Sequence, residues 1–599
     1  FIANRVGVYA IQDLFHTVKE MDLTVGEIDK LTGPVMGRPK SATFRTCDVV
    51  GLDTLVHVAN GVKDNCPDDE RNDVFTIPDF VSKMVENGWL GSKSKQGFYK
   101  KAKDENGKKT ILELDLKTLE YGPKSKVKFA TLAAAKLEED LKKRTKILFS
   151  GKDKAGDFYR SVFCGVFQYV TNRIPEISDE LYKIDDALRA GFAWEMGPFE
   201  TWDAIGFEKV LKTMEELGKK PAQFVYDMVA DGITSFYKLE NGVRQFYDVA
   251  AKEYKVIPGT EDLVSLANIK ETNTVWNNAD ASIIHLGDGI LNVEFHSILQ
   301  PTLNPIDGSL AMTINEGMDL LEAGKFKAMV IGHTNQNFCA GANLASILEV
   351  CEAKEWDTLE GVVKDLQDLT QRIRFSKAPV VAAPFNLALG GGFELIGPAA
   401  HRVAAAELYV GLVEVGVGLI PGAGGNLRLL LNMMENGGKS RINTFQIAQK
   451  AFETIGFAKV ATSADEAKYI GYLLKTDTIV LNNDHRIWKA KQKALELAKG
   501  YEPPQYRDDL KLPGTGGRTA MAIALKGFKA QGKISDHDEF IAKKLAYVLT
   551  GGDKGGLTKA VDEQYLLDIE REAFVSLAGE KLTQNRIRFM LKKGKPLRN

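Results

Sequence analysis

The chain has 599 residues, too many for one hydrophobic core, so roughly three to five domains are expected. Its 78 Lys and Arg nearly balance 80 Asp and Glu, which argues against a broad nucleic-acid surface or a polybasic membrane face and leaves a small molecule or another subunit as the natural partner. Five cysteines, Cys47, Cys66, Cys164, Cys339 and Cys351, are scattered without C-x-x-C spacing, as suits a reduced, cytoplasmic compartment with neither a disulfide framework nor a zinc site. The longest apolar run, Ala378 to Phe393, is broken by Pro379, Pro384, Asn386 and three glycines. It falls short of the ~20 apolar residues of a spanning helix, so no membrane insertion is expected. The opening "FIANRVGVYA" has neither a basic n-region nor a cleavage signal and starts on Phe1, so a further upstream segment is expected.

In chain order, "FRTCDVVGLD" (Phe44 to Asp53) and "FETWDAIGFE" (Phe199 to Glu208) share F-x-T-x-D-x-x-G at a separation of 155 residues, each preceded by an Ile-Asp pair, Ile28-Asp29 and Ile184-Asp185. Two copies suggest a duplicated helical domain, not a solenoid. Between them, "KDENGKKT" reads as an exposed turn, and the lysine-dense "YGPKSKVKFATLAAAKLEEDLKKRTK" as a solvated helix. From Trp276 the character changes. "ASIIHLGDGILNVEFH" is a hairpin around Gly287-Asp288-Gly289. A helix (Glu316 to Ala323), a strand ("FKAMVIG") and a long helix follow, the last with Leu359, Val362, Val363, Leu366, Leu369 and Ile373 as a buried stripe. A second strand, "APVVAAPFN", runs into Gly390-Gly391-Gly392. Alternating strands and helices indicate an α/β layer. Beyond about Asp484 the chain reads as charged amphipathic helices interrupted by "PGTGG" and "TGGDKGG".

The three glycines fail the G-x-G-x-x-G spacing of a dinucleotide loop, and in "GVGLIPGAGG" Pro421 stands where the third glycine belongs. A strand that ends in glycines and turns into a helix does offer free amides at the positive end of the helix dipole, the requirement of an oxyanion hole. Gly391 is one candidate donor, and the small-residue turn "NFCAGANL" (Asn337 to Leu344) the source of a second. Glu394 opens the helix beside the glycines, and Glu414 lies in the apolar run "LYVGLVEVGVGLIPG", where an unpaired carboxylate is costly. Glu414 alone could be a helix cap or half of a buried ion pair. Together the two glutamates suggest carboxylates sharing a water beside an oxyanion hole.

"FCAGANL", "ALGGGFEL", "VEVGVGLIPGAGGNLRL" and "ATSADEAKYIGYL" resemble, in order, the motifs of the crotonase (enoyl-CoA hydratase/isomerase) superfamily. The resemblance implies that the amides of Ala342 and Gly391 hold a thioester oxygen and that Glu394 and Glu414 are the paired catalytic carboxylates of hydratases. Ala340, Gly341 and Gly390 would shape the substrate-binding loops, and Asn343 stands where many members carry Asp. Such a site needs no cofactor and takes an acyl-CoA thioester. "FIANRVGVYA", "MGRPKSATFRTCDVVGLDTL" and "WLGSKSKQGFY" resemble the helical C-terminal domain of 3-hydroxyacyl-CoA dehydrogenases, "AGFAWEMGPFETWDAIG" resembles its second copy, and Asn4 matches that family's asparagine near the active site. The catalytic His and Glu and the NAD fold of that family would lie in the upstream segment; none of the eight histidines here has a matching context.

The resemblance therefore implies a bifunctional 3-hydroxyacyl-CoA dehydrogenase/enoyl-CoA hydratase of bacterial fatty-acid β-oxidation, using NAD in its intact form, with a homo-oligomer or a thiolase as possible partners. The expected architecture is two all-α dehydrogenase-type repeats (1–145 with the linker, and 146–270), an α/β crotonase core (275–483) and its helical C-terminal part (484–599). A crotonase-fold isomerase or thioesterase, for which a single carboxylate could suffice, and a non-catalytic acyl-CoA-binding subunit are the alternatives.

Overall fold

A computed structural model describes residues 1–103, 107–125, 127–240, 242–438 and 443–599. The chain divides into two compact units, Phe1–Pro258 and Gly259–Asn599.

In the first unit the helices Ile2–Met21 and Lys154–Asn172 pack together, with the rings of Tyr9 and Tyr169 stacked 3.7 Å apart. Here the two F-x-T-x-D-x-x-G segments carry the same hydrogen-bonding scheme. Asp29 accepts from the amides of Thr43, Phe44 and Arg45, the open N-terminus of helix Phe44–Val50; Asp185 accepts from Phe199 and Glu200 at the start of Pro198–Ile205. Each aspartate thus supplies acceptors that the first turn of a helix lacks. The motif aspartates then fasten a strand: Asp48 takes the amides of Phe98 and Tyr99, and Asp203 those of Phe236 and Tyr237. Tyr99 and Tyr237 return their hydroxyls, each at 2.7 Å, to Asp29 and Asp185.

Neither segment is all-α, which corrects the expected fold. Each feeds a three-stranded antiparallel sheet, one of Tyr99–Lys103, Lys109–Leu114 and Tyr121–Pro123, the other of Tyr237–Glu240, Val243–Asp248 and Glu253–Val256. These short strands alternate exposed and half-buried residues among many lysines, so composition hid them. Residues 104–106 of the expected "KDENGKKT" turn, and Lys126 of the lysine-dense stretch, lie outside the described residues. Asp185→Ala strips the acceptor from two amides and a buried hydroxyl. It should lower the stability of this unit by about 2–3 kcal/mol, read by hydrogen exchange of the Pro198–Ile205 amides. Unchanged exchange would contradict the capping role.

The second unit is built on a seven-stranded sheet in the order Thr478–Val480, His401–Ala405, Val380–Ala382, Ala328–Ile331, Ile290–Phe295, Ala281–His285, Thr274–Asn277. The first five are mutually parallel; the last two join antiparallel through the hairpin, where Asp288 and its flanking glycines take positive φ. Four of the five parallel strands are fully buried, as crossover sheets require, and only the edge strand Thr478–Val480 is half-exposed. Ile284, Ala328, Val330, Val381 and Val403 meet Leu266, Ile487 and Ala490 on one face, while Ile283, Met329, Ile331, Ala382 and Ala404 belong to the larger core on the other. Leu266 therefore ties the segment after Gly259 to this sheet, so the second unit begins before residue 270. Helices from beyond 484 likewise enter both cores.

Two local expectations need correction. The stripe of helix Trp356–Arg374 buries Leu359, Val363, Leu369 and Ile373, but Val362 sits at its edge and is 50% exposed. The run 378–386 is not one strand: after Val380–Ala382 the chain leaves the large sheet near Pro384, and Asn386–Leu389 pairs with Leu408–Gly411 in a separate three-stranded sheet completed by Val460–Ala461. A proline cannot continue a central ladder, so the strand changes partner there.

Candidate active site

That change of sheet delivers the glycines to the turn 339–342. Cys339 donates its amide to Leu387 O at 2.8 Å and receives that of Leu389 at 2.9 Å, which locks the two loops side by side. Ile306 donates to Gly341 O at 2.9 Å and Ala340 donates to Leu303 O at 2.8 Å, so the amide of Ala340 is occupied. Gly341 (φ 103°) and Gly390 (φ 54°, ψ −120°) hold conformations that favour glycine, and each turns the following amide out of the ladder. Those amides belong to Ala342 and Gly391. Among the described residues neither has an acceptor. A β-carbon on Gly391 would stand 3.5 Å from the Ala342 nitrogen, which measures how near the two come, and Gly391 is the first residue of helix Gly391–Ile396.

Glu394 projects from that helix, 5% exposed, and its Oε1 accepts from the amides of Ala423 (2.7 Å) and Gly425 (3.0 Å) at the start of helix Gly425–Asn436. Burial pushes its carboxyl up to about 7, against these amide bonds, which favour the ionised form. Glu414 opens the 3-10 turn Glu414–Val417; both its carboxylate oxygens are buried and, among the described residues, unpartnered. Its Oε1 lies 3.2 Å from where a β-carbon on Gly390 would be. Burial, then the charges of Glu394 and Glu570, hold Glu414 well above the carboxylate range. Among the described residues neither the helix cap nor the buried ion pair that its sequence position allowed is found.

Sequence reasoning missed Glu570, a third buried carboxylate, from helix Glu563–Ala578, which accepts from the amides of Gly424 and Asn426 and is pushed up to about 8 by burial and by Glu394. The signal was available: Leu566, Glu570, Phe574 and Leu577 recur at helical spacing, which aims Glu570 into the core. Asn343 caps helix Leu344–Ala353 through the amides of Ala345 and Ser346, a task its amide oxygen performs as an aspartate would. Asn4 is exposed on helix Ile2–Met21, which belongs to the first unit.

Three raised carboxyls have a consequence for stability. A group whose folded pKa exceeds its unfolded value contributes fully below the unfolded value, about 4.5, and that contribution is lost as pH rises through the folded one. The second unit should therefore lose stability between about pH 5 and about pH 8, and Glu394→Gln should flatten the decline. Thermal midpoints across that window decide it; a rise with pH in the wild-type protein would be inconsistent with buried, coupled carboxyls.

The arrangement also bears on nucleotides. The amides of Ala423, Gly424, Gly425 and Asn426 are taken by Glu394 and Glu570, and two carboxylates there would repel a pyrophosphate. Both sheets of the first unit are antiparallel, without the strand-turn-helix of a dinucleotide fold. The residues described do not fit NAD, and no step below runs through it. Among the described residues no helix is long and apolar enough to cross a membrane and no cluster has metal-ligand character.

Comparison with known proteins agrees with this division. Residues 1–101 match the family "3-hydroxyacyl-CoA dehydrogenase, C-terminal domain", and residues 300–484 match "Enoyl-CoA hydratase/isomerase". A Bacillus subtilis (strain 168) protein named "Probable 3-hydroxyacyl-CoA dehydrogenase" is 44% identical over 604 residues, covering 100% of this chain and 74% of the relative. "Fatty acid oxidation complex subunit alpha" of Colwellia psychrerythraea is 32% identical over 159 residues, 26% of this chain and 21% of that one. A crystal structure of enoyl-CoA hydratase from Bacillus halodurans aligns with 52% of this chain and 99% of its own at 16% identity and a TM-score of 0.35. The chain belongs to the 3-hydroxyacyl-CoA dehydrogenase family, with a helical dehydrogenase C-terminal domain followed by an enoyl-CoA hydratase/isomerase domain of crotonase fold.

Proposed function

We propose that the second unit is an enoyl-CoA hydratase of fatty-acid β-oxidation, adding water across the 2,3 double bond of a 2-enoyl-CoA, and that a 3-hydroxyacyl-CoA dehydrogenase activity accompanies it. The observation that carries this reading is Glu414: a buried carboxyl, without a hydrogen-bond partner among the described residues and held well above the carboxylate range, beside Glu394 and Gly390. The thioester oxygen would sit on the amides of Ala342 and Gly391, drawing electron density from the double bond and stabilising the enolate that forms when water adds. One such donor contributes about 3 kcal/mol. The roles divide by environment, since paired carboxyls with separated pKa values mark acid and base. Glu394, with two amides on one oxygen and its carboxyl near 7, takes the proton from water; Glu414, whose carboxyl burial and two neighbouring carboxylates push well above the usual range, delivers one to C2.

An isomerase or thioesterase would have less use for a second buried carboxyl, and a non-catalytic subunit would have no use for either. We read the two capped segments of the first unit as copies of one dehydrogenase-type domain, with Asn4 facing that family's substrate. A homo-oligomer or a thiolase partner would add nothing to the hydration groups named. The test is a structure with a non-hydrolysable acyl-CoA analogue. Its carbonyl oxygen should lie within hydrogen-bond distance of the Ala342 and Gly391 amides, and any other placement would refute the oxyanion assignment.

A further inference from the structure

Glu394 is not alone on its turn. The carboxylate of Glu570, 1% exposed, comes from helix Glu563–Ala578 and takes two of the four amides of this turn: Oε1 accepts from Gly424 at 2.6 Å, and Oε2 from the Asn426 amide at 3.1 Å and Asn426 Nδ2 at 2.8 Å. Glu394 Oε1 holds the alternate pair, Ala423 and Gly425. Two carboxylates from two helices therefore share one helix N-terminus, whose first amides have no partner inside the helix. Freed of Glu570, Gly424 and Asn426 would have to find other acceptors. A turn with an αL glycine at its centre, Gly424 at φ 98°, can re-form with its amides aimed elsewhere.

We propose that Glu570 is a positioning residue of the hydration site: by gripping Gly424 and Asn426 it holds the 422–426 turn so that Ala423 and Gly425 orient the carboxylate of Glu394. The inference rests on the hydratase reading. A cap alone could be neutral, whereas here a third carboxyl is buried against two others. The groups facing Glu570 are Glu394, Glu414, Asn426 and Gln367, whose Nε2 reaches Oε1 at 3.3 Å and whose own Oε1 accepts from Arg571 Nη1 at 2.8 Å. Two turns back on the same helix Glu563 is paired instead with Arg428 and Arg374. The charge of Glu394 raises the Glu570 carboxyl, and Glu414 is a third carboxyl against both, so their protons come off in steps that belong to the group.

The experiment compares the full-length wild-type protein with Glu570→Gln, Glu570→Asp and, as a structural control, Glu563→Gln. Crotonyl-CoA hydration is followed against pH, and protonated carboxyls are counted by infrared difference spectroscopy. Glu570→Gln should lower kcat on the order of 10–100-fold with little change in KM, as expected of a slightly misplaced catalytic group. Its pH profile and infrared titration should lose one of the two ionisations near neutrality. Glu570→Asp should keep both, and Glu563→Gln should lose stability with the profile unmoved. A Glu570→Gln profile that superposes on the wild type, or a two-step infrared titration that survives the substitution, would overturn the proposal. If Glu570→Gln fails to fold, Glu570→Asp decides by kcat instead: the shorter carboxylate should keep both ionisations but lower kcat, and wild-type kcat in that variant would equally overturn the proposal. Wild-type protein inactive on crotonyl-CoA would instead count against the hydratase reading, and the infrared titration would still report whether Glu570 and Glu394 are coupled.

Discussion

Glu414→Gln should lower the hydration of crotonyl-CoA by a factor on the order of 10²–10⁴, the usual contribution of a positioned acid or base, and should leave folding intact. The second half of this expectation follows from the geometry. Among the described residues both Glu414 oxygens are buried without a donor, so the side chain has no side-chain hydrogen bond there for an amide to lose. Replacing it also removes a carboxyl that burial and two neighbouring carboxylates already disfavour. A structural glutamate would behave the other way, with stability lost and turnover kept. Steady-state kinetics beside a thermal melt separates the two, and near wild-type turnover would require Glu414 to be reassigned.

Gly390→Ala should be nearly as damaging, for a different reason. At φ 54° and ψ −120° a β-carbon is strained, and it would lie 3.2 Å from Glu414 Oε1 and 3.7 Å from Gly341 Cα. The backbone must shift, at a cost of about 1–3 kcal/mol, and the amide of Gly391 shifts with it. Loss of that donor should lower kcat by a factor on the order of 10²–10³. A variant with wild-type kcat would mean that Gly391 does not face the reacting oxygen.

The parts of this account legible in the sequence are those where chemistry is local. Gly287-Asp288-Gly289 marks the hairpin because it works through its own backbone, whereas the helix expected over Glu316 to Ala323 in fact begins at Gly308, where Asp307 caps it. Glu394 and Glu414 stood out because carboxylates are costly in apolar runs. The strands of the first unit did not, since they are short and their outward-facing positions carry lysines rather than an apolar run. The break at Pro384 was visible as a residue but not as a change of sheet, because nothing local says which strand Asn386–Leu389 will join. Glu570 needed a contact spanning 146 residues, from Gly424, and only its place on the buried stripe of its helix hinted at it.

The most direct measurement of the central claim is product analysis in isotopically labelled water. Purified protein is given crotonyl-CoA in ¹⁸O-water and the thioester is identified by mass and by retention against standards. Hydration through Glu394 and Glu414 predicts 3-hydroxybutyryl-CoA with one ¹⁸O at C3, formed at an enzymatic rate and lost together in Glu394→Gln and Glu414→Gln. A shifted double bond without label, free CoA with labelled acid, or no turnover would contradict the assignment of this site as a hydratase.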